Sequence, residues 1–199
     1  MSVDRARMEA RYLATTGMPW DLMAWGFLLG HDGFSYNLKS AVHLQQEAGA
    51  VLMQGGGMQV YYQPTRSGYL CDTICNAAGA VGEFCRARKR VCQHSTSVPQ
   101  VALVFSTAAV LDRSDAVGST GGTYNEMTGA LHALLESHYS VDILPEFRLE
   151  SRLAEFPLVV LPDFDKFDPQ LIEALPGYVQ NGGKLPMITS CSPGWIKFI

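Results

Sequence analysis

Four residues of this chain have side chains suited to hydrolytic chemistry, and they are widely separated: Asp21, Asp32, Ser119 and Cys191. A carboxylic acid can protonate a leaving oxygen, a carboxylate can act as nucleophile or base, and a hydroxyl or thiol can attack a carbonyl. Such groups work only as pairs or triads held in contact by the fold. Their spacing in the sequence does not bring any two of them together, so the sequence does not identify the catalytic residue.

The two aspartates differ in their position along a predicted strand over residues 19–27. Asp21 lies near the start of that strand, and Asp32 lies in the Gly- and His-containing loop that follows its end. Active sites of parallel β/α folds lie at the carboxyl ends of strands. We therefore expect a structural role for Asp21, while Asp32 can reach a site or be an ordinary solvated loop residue.

The serine and cysteine candidates lack the surroundings of a nucleophile. Ser119 stands in Gly118-Ser119-Thr120-Gly121, which has the wrong spacing for the Gly-x-Ser-x-Gly elbow of a hydrolase. The run Gly55-Gly56-Gly57 is similar to an esterase oxyanion loop, but without an elbow it is better explained by loop flexibility. Cys191 follows a predicted strand, and no histidine lies between it and Ile199.

Aromatic and polar residues close to predicted strand ends indicate a different chemistry. Trp25, Tyr61 and Tyr62 lie near the ends of the strands over 19–27 and 58–62. Aromatic rings stack on the apolar faces of sugars, and Gln63 and Arg66 can add hydrogen bonds. These five residues are the predicted substrate-binding set; the alternative is that Trp25 and one tyrosine fill the core.

Metal binding is not expected from the cysteines. Four of the five cysteines lie at 71, 75, 85 and 92, the first three within one predicted helix and the fourth directly after it, and no two are spaced as Cys-x₂-Cys. The histidines form no ligand-spaced pair either. We expect buried free thiols, no metal and no cofactor.

Composition limits the partners and the location. Lys plus Arg number 15 against 19 Asp plus Glu, for a net charge of −4, which is unfavourable for binding nucleic acid. With 47% hydrophobic residues, the chain can form a core. No segment approaches the ~20 apolar residues of a membrane span, and the first ten residues lack the apolar region of a signal peptide. A cytoplasmic protein with reduced thiols is expected.

Alternating predicted strands and helices indicate an α/β fold with parallel strands. A polar segment at 93–99, ending in proline, is the predicted linker. Strands are expected at 19–27, 58–62, 100–105, 141–144, 158–161 and 184–188. Helices are expected at 4–15, 37–54, 69–91, 124–138 and 168–180, with Asn37 and Asp168 as N-caps of the second and the last, and loops at 28–36 and 111–123.

The first half resembles part of a known family. Its segments Gly17–Phe27, Lys39-Ser40-Ala41 and Gln54–Arg66 resemble the last two βα units of a glycoside hydrolase (β/α)₈ barrel, of the α-L-fucosidase-like and β-galactosidase-like type. The resemblance covers residues 1–92. A complete barrel has eight strands in about 250 residues. It therefore implies a partial (β/α) barrel whose catalytic carboxylates belong to earlier strands that this chain lacks.

The second half, residues 100–199, resembles the β-galactosidase trimerisation domain, a flavodoxin-like parallel-sheet domain related in architecture to class I glutamine amidotransferases. The resemblance rests on Leu158–Pro162, Pro169–Val179 and Gly182-Gly183 in that order. Pro186 interrupts a strand of the pattern, and the residues after Thr189 depart from it. We therefore expect this domain to be truncated or its reading frame altered.

Together the resemblances imply a fragment of a glycoside hydrolase of carbohydrate metabolism, whose parent cleaves O-glycosidic bonds of galactosides or fucosides. The chain itself is expected to be a non-catalytic assembly or sugar-binding unit, with a carbohydrate ligand. It is also expected to be a homo-oligomer, a trimer by resemblance. The alternative is a small stand-alone esterase or amidotransferase-like hydrolase with Ser119 or Cys191 as its nucleophile.

Overall fold

The computed structural model describes residues 2–30, 36–98, 100–113 and 124–188. The chain divides into two compact units, Met1–Thr96 and Ser97–Ile199. The division falls inside the polar segment 93–99. Asp32, Ser119 and Cys191 lie outside the described residues.

The first unit has a small parallel sheet covered on one face by helices. Its helices are α1 (Val3–Ala14), α2 (Ala41–Leu52) and α3 (Asp72–Cys92). Its strands are β1 (Asp21–Trp25), β2 (Phe27–Leu29), β3 (Tyr36–Leu38) and β4 (Gly57–Tyr61). β1 pairs with β4 in parallel, and β2 pairs with β3 as an antiparallel hairpin. In the described part of the chain these strands do not close into a barrel.

Side chains of β1 and β4 alternate between the two faces of the sheet, as the pleat requires. Ala24, with the half-buried Met58 and Val60, packs on a core cluster that also contains Leu44 and Val81. The opposite face is exposed and includes Met23, Trp25 and Tyr61. Parallel sheets are normally covered on both faces, so this one presents an uncovered face.

Helix α2 begins three residues later than its sequence pattern predicts. The side chain of Ser40 is the N-cap and accepts a hydrogen bond from the backbone N–H of His43 at 3.2 Å. The predicted cap, Asn37, lies instead within β3. The prediction was wrong because pairing of β3 with β2 holds Asn37 in extended backbone, and Ser40 is the next residue able to cap.

Close approaches, rather than loop flexibility, explain the glycine run before β4. A Cβ on Gly56 would lie 2.2 Å from the indole of Trp20. Gly55 has φ +81°, and a Cβ there would lie 2.7 Å from the backbone oxygen of Ser95. These two positions therefore require glycine.

The second unit is a four-stranded parallel sheet in the order β6-β5-β7-β8. The strands are β5 (Val101–Phe105), β6 (Val141–Pro145), β7 (Leu158–Pro162) and β8 (Met187–Ile188). The first strand is thus central, with the order 2-1-3-4 of flavodoxin-like sheets. The helices are α4 (Thr107–Arg113), α5 (Asn125–Glu136), α6 (Glu146–Leu149) and α7 (Pro169–Gln180), with a 3₁₀ helix over Glu150–Glu155.

Several elements of this unit agree with the sequence pattern and three do not. Asp168 caps α7 as predicted, accepting from the N–H of Gln170 at 2.8 Å. Helix α4, helix α6 and the 3₁₀ helix were not predicted. Strand β8 is shortened because Pro186 accepts from the N–H of Leu161 at 3.2 Å but has no N–H to donate in return. Among the described residues, no helix is long and apolar enough to cross a membrane.

Candidate functional site

Two predicted sugar-binding residues meet where the strands of the first unit end. Trp25 is the last residue of β1 and Tyr61 the last of β4, and the two are partners in the parallel register. Their ring centroids lie 6.4 Å apart with the planes inclined at 54°. The exposed fractions are 40% for Trp25 and 38% for Tyr61, so both rings pack on each other and still offer surface to a ligand.

The β2–β3 hairpin adds two aromatic residues that the sequence interpretation missed. Phe27 stacks on Trp25 at 5.4 Å and lies 6.0 Å from Tyr61. Tyr36 meets Phe27 edge-on at 5.1 Å. Phe27 is buried at 5% exposure, whereas Tyr36 is half exposed. We call Trp25, Phe27, Tyr36 and Tyr61 the aromatic cluster; Phe27 is its support, and the other three rings form its surface.

The remaining predicted binding residues lie elsewhere. Tyr62 points to the helix side of the sheet and packs so tightly on Gly26 that a Cβ there would lie 2.1 Å from its ring. Its hydroxyl is buried without a partner among the described residues, and burial raises the pKa of this phenol. Gln63 and Arg66 are exposed in the segment after β4. The structure thus brings together Trp25 and Tyr61 of the five.

The described catalytic candidate lies far from the aromatic cluster. Asp21 is exposed at the start of β1, and its carboxylate accepts a hydrogen bond from the side-chain amide of Gln59. Trp25 lies four residues along the strand from Asp21, which at about 3.3 Å per residue is about 13 Å. Asp21 therefore lies at the opposite end of β1 from Trp25, and its catalytic role stays a prediction.

A buried ion pair joins α2 to the residue just before its N-cap. Lys39 Nζ lies 2.7 Å from Glu47 Oε1, and the side chains are 1% and 0% exposed. His43 Nε2 lies 3.4 Å from the same oxygen, while Glu47 Oε2 has no partner in the described part of the chain. The backbone N–H of Lys39 donates to the carbonyl of Gly26 at 2.9 Å. The pair thus joins α2 to the segment that carries the aromatic cluster.

In the second unit, a buried glutamate occupies the corresponding end of the sheet. Glu146 follows β6 and is 3% exposed. Its carboxylate accepts from the backbone N–H groups of Thr107 at 2.9 Å, Ala108 at 3.3 Å and Asp168 at 2.7 Å, and from Ser106 Oγ at 3.1 Å. Flavodoxin-like folds bind ligands at this edge; here a carboxylate of the protein itself takes the donors.

The cysteines of α3 and its N-cap are free thiols, in part more exposed than expected. Cys71 and Cys75 are exposed, and Cys85 and Cys92 are half-buried. Burial raises the pKa of Cys85, against the opposing effect of Arg88 and Arg86. Within the described ranges, no three His, Cys, Asp or Glu residues lie close enough together to hold a metal ion.

Comparison with solved structures shows which proteins share this fold. An α-L-fucosidase isoenzyme 2 from Paenibacillus thiaminolyticus matches 92% of this chain with a TM-score of 0.73 and 22% identity. A β-galactosidase from Rahnella sp. R3 matches 93% with a TM-score of 0.72 and 19% identity, and one from Bacillus circulans sp. alkalophilus matches 94% with a TM-score of 0.70 and 16% identity. The chain spans only 27–30% of these enzymes. No family model and no curated protein matches.

Proposed function

We propose that this chain is a non-catalytic sugar-binding and assembly portion of a glycoside hydrolase acting on galactosides or fucosides. The observation that carries the proposal is the aromatic cluster at the carboxyl ends of β1 and β4. Trp25 and Tyr61 are adjacent, partly exposed and supported by a buried phenylalanine. Because each ring offers a flat apolar face, the cluster suits the C–H face of a pyranose.

The distribution of carboxylates on that face supports a non-catalytic role. Among the residues of β1 and β4 on the exposed face, Asp21 is the one with a carboxylate. It lies about 13 Å along the strand from the cluster. The solved enzymes of similar fold are more than three times as long as the part that this chain matches. We propose that their remaining length, rather than this portion, supplies the acid and the nucleophile.

Binding is tested by calorimetric titration of the 199-residue protein with galactose, fucose and lactose. Trp25→Ala should weaken binding about tenfold, since one aromatic contact contributes about 1–1.5 kcal/mol. Met23→Ala is the matched control, because Met23 lies two residues before Trp25 on the same strand and is exposed on the same face of the sheet. Equal affinity in the wild type and Trp25→Ala would contradict the role of the cluster.

Catalysis is tested with aryl fucosides, galactosides and glucosides, and with short aryl esters. We expect no turnover above that of a Ser119→Ala/Cys191→Ala double variant. Glycoside turnover that persists in this variant would make Asp32 or Asp21 a catalytic residue. Ester turnover lost in the variant would favour the stand-alone hydrolase.

The second unit is proposed to assemble copies of the chain. Exposed apolar residues lie on several of its elements: Phe147, Ile172, Val179 and Met187. We propose that these residues lie in contacts between subunits. Sedimentation equilibrium should give three times the 21.8 kDa of one chain, and a monomer at high concentration would contradict the proposal.

A further inference from the structure

A cavity of the first unit lies at the opposite end of the strands from the aromatic cluster. It has a volume of about 740 Å³ and is bordered by the residues before β1, the glycine run before β4, and the end of α3. This volume is in the range of cavities that hold small ligands. The aromatic cluster does not border it, so the cavity is independent of the proposed sugar-binding surface.

One wall of this cavity is a rigidly held indole. Trp20 is half-buried and packs on the half-buried Gly56 with no room for a Cβ between them. Gly57 donates its N–H to the carbonyl of Trp20 at 3.1 Å, so the backbone of Trp20 is held in place as well as its indole. A flat, preformed aromatic wall costs little entropy when a ring stacks on it.

Two lining residues from α3 are positively charged. Arg86 and Lys89 line the cavity from α3 and are three residues apart, so they lie on the same side of that helix. Neither forms an ion pair with any described residue. No Asp or Glu lines the cavity. In a chain with a net charge of −4, this is a local concentration of positive charge.

The chain that leaves α3 adds a hydroxyl to the cavity. His94 adopts a left-handed conformation with φ 62°, which turns the backbone so that Ser95 comes close to Gly55. Ser95 Oγ is buried and has no hydrogen-bond partner in the described part of the chain. A buried hydroxyl without a partner is costly, and a ligand oxygen at this place would satisfy it.

We infer that this cavity binds a small phosphomonoester whose ring has an apolar face. The phosphate pairs with Arg86 and Lys89, and the ring stacks on Trp20. A sugar phosphate and a mononucleotide share this chemistry: a dianionic group attached to a ring with an apolar face. Ser95 hydrogen-bonds a ligand oxygen.

The test is calorimetric titration of the full chain with glucose 6-phosphate and with AMP. Glucose, adenosine and inorganic phosphate are titrated in parallel. Both the phosphate and the ring are expected to be needed, so at least one ester should bind more tightly than its uncharged parent and than inorganic phosphate. The ester that binds more tightly identifies the ring. Binding of the uncharged parent or of inorganic phosphate with equal affinity would overturn the inference, as would absence of binding by both esters.

Charge variants locate the site. Arg86→Gln/Lys89→Gln should weaken ester binding at least about tenfold, since both charge-assisted contacts to the phosphate are lost. The matched control is Arg90→Gln, which removes an exposed charge from the same helix but does not line the cavity. An equal loss in the control would show a general charge effect and overturn the site. Because all three residues are exposed, folding should be unaffected.

Discussion

The carboxyl ends of the two parallel sheets differ in what occupies them. In the first unit, the ends of β1 and β4 carry aromatic rings that remain partly exposed. In the second unit, the ends of β5 and β6 are occupied by Glu146, whose carboxylate accepts four hydrogen bonds in the interior. The same edge of a parallel sheet is therefore open to a ligand in one unit and filled by the protein in the other.

Each unit also contains a buried glutamate, and the two are stabilised differently. Glu47 lies against the buried cation of Lys39. Glu146 has no cation among its four donors, which are three backbone N–H groups and one hydroxyl. A charge pair can be replaced as a pair, whereas backbone donors cannot be removed by substitution. The comparison predicts that Glu47 can be replaced with little loss of stability if Lys39 is replaced with it. No such paired replacement is available for Glu146.

The largest expected effect is loss of the cation in the first unit. Lys39→Met leaves the carboxylate of Glu47 buried without its cation, which should lower the free energy of unfolding by about 3–5 kcal/mol. Adding Glu47→Leu should restore most of the loss, because two apolar side chains replace the pair. Urea denaturation of the wild type, both single variants and the double variant measures this. A double variant as unstable as Lys39→Met would contradict the argument.

Removal of Glu146 should lower the free energy of unfolding somewhat less. No second substitution should restore this loss. Glu146→Ala leaves the donors of Thr107, Ala108, Asp168 and Ser106 without their acceptor, and should cost about 3 kcal/mol. Glu146→Gln should cost less, since its amide retains one acceptor oxygen.

Hydrogen exchange read by mass spectrometry separates the two units in this experiment. Amides of β5, β6 and α4 should exchange faster in Glu146→Ala, while those of β1 and β4 should keep the wild-type rate. Unchanged exchange in the second unit would mean that the carboxylate contributes little to its stability.

The smallest expected effect compares two tyrosines, one in each unit. Both pack on a glycine, Tyr62 on Gly26 and Tyr178 on Gly183. Tyr178 donates its hydroxyl to the carbonyl of Phe156 at 3.0 Å, whereas the hydroxyl of Tyr62 has no partner among the described residues. Tyr178→Phe should therefore destabilise by about 1 kcal/mol, and Tyr62→Phe should be neutral or stabilising. Thermal unfolding measures both, and equal destabilisation would contradict the contrast.

The same two tyrosines predict a loss of stability in alkali. Burial is the main cause that raises the pKa of each phenol. Above the ordinary tyrosine pKa of about 10, the unfolded chain releases these protons while the folded chain still holds them. Stability is therefore complete below about pH 10 and falls as the pH rises through the folded-state pKa. Stability should fall less steeply with pH in Tyr62→Phe and in Tyr178→Phe than in the wild type. Unfolding measured at a series of pH values above about 10 tests this.

Much of the architecture was predictable because it depends on local pattern. The continuous apolar run of β5 predicted a strand covered on both faces, and all but its last residue are buried. Asp168 was predicted as a cap because an aspartate directly before Pro169 is a typical helix start. Trp25 and Tyr61 were recognised as neighbours because parallel strands end at the same edge.

The tertiary structure decided what depends on distant residues. Tyr36 joins the cluster through the β2–β3 pairing, and no periodicity in the sequence shows that pairing. Glu146 finds its donors 22 to 40 residues away. The sequence by itself determined the alternating elements and the residues at strand ends, because these follow from short-range backbone and hydrophobic preferences. Which polar groups are buried, paired or exposed was decided by packing, since only the fold sets the distances between remote side chains.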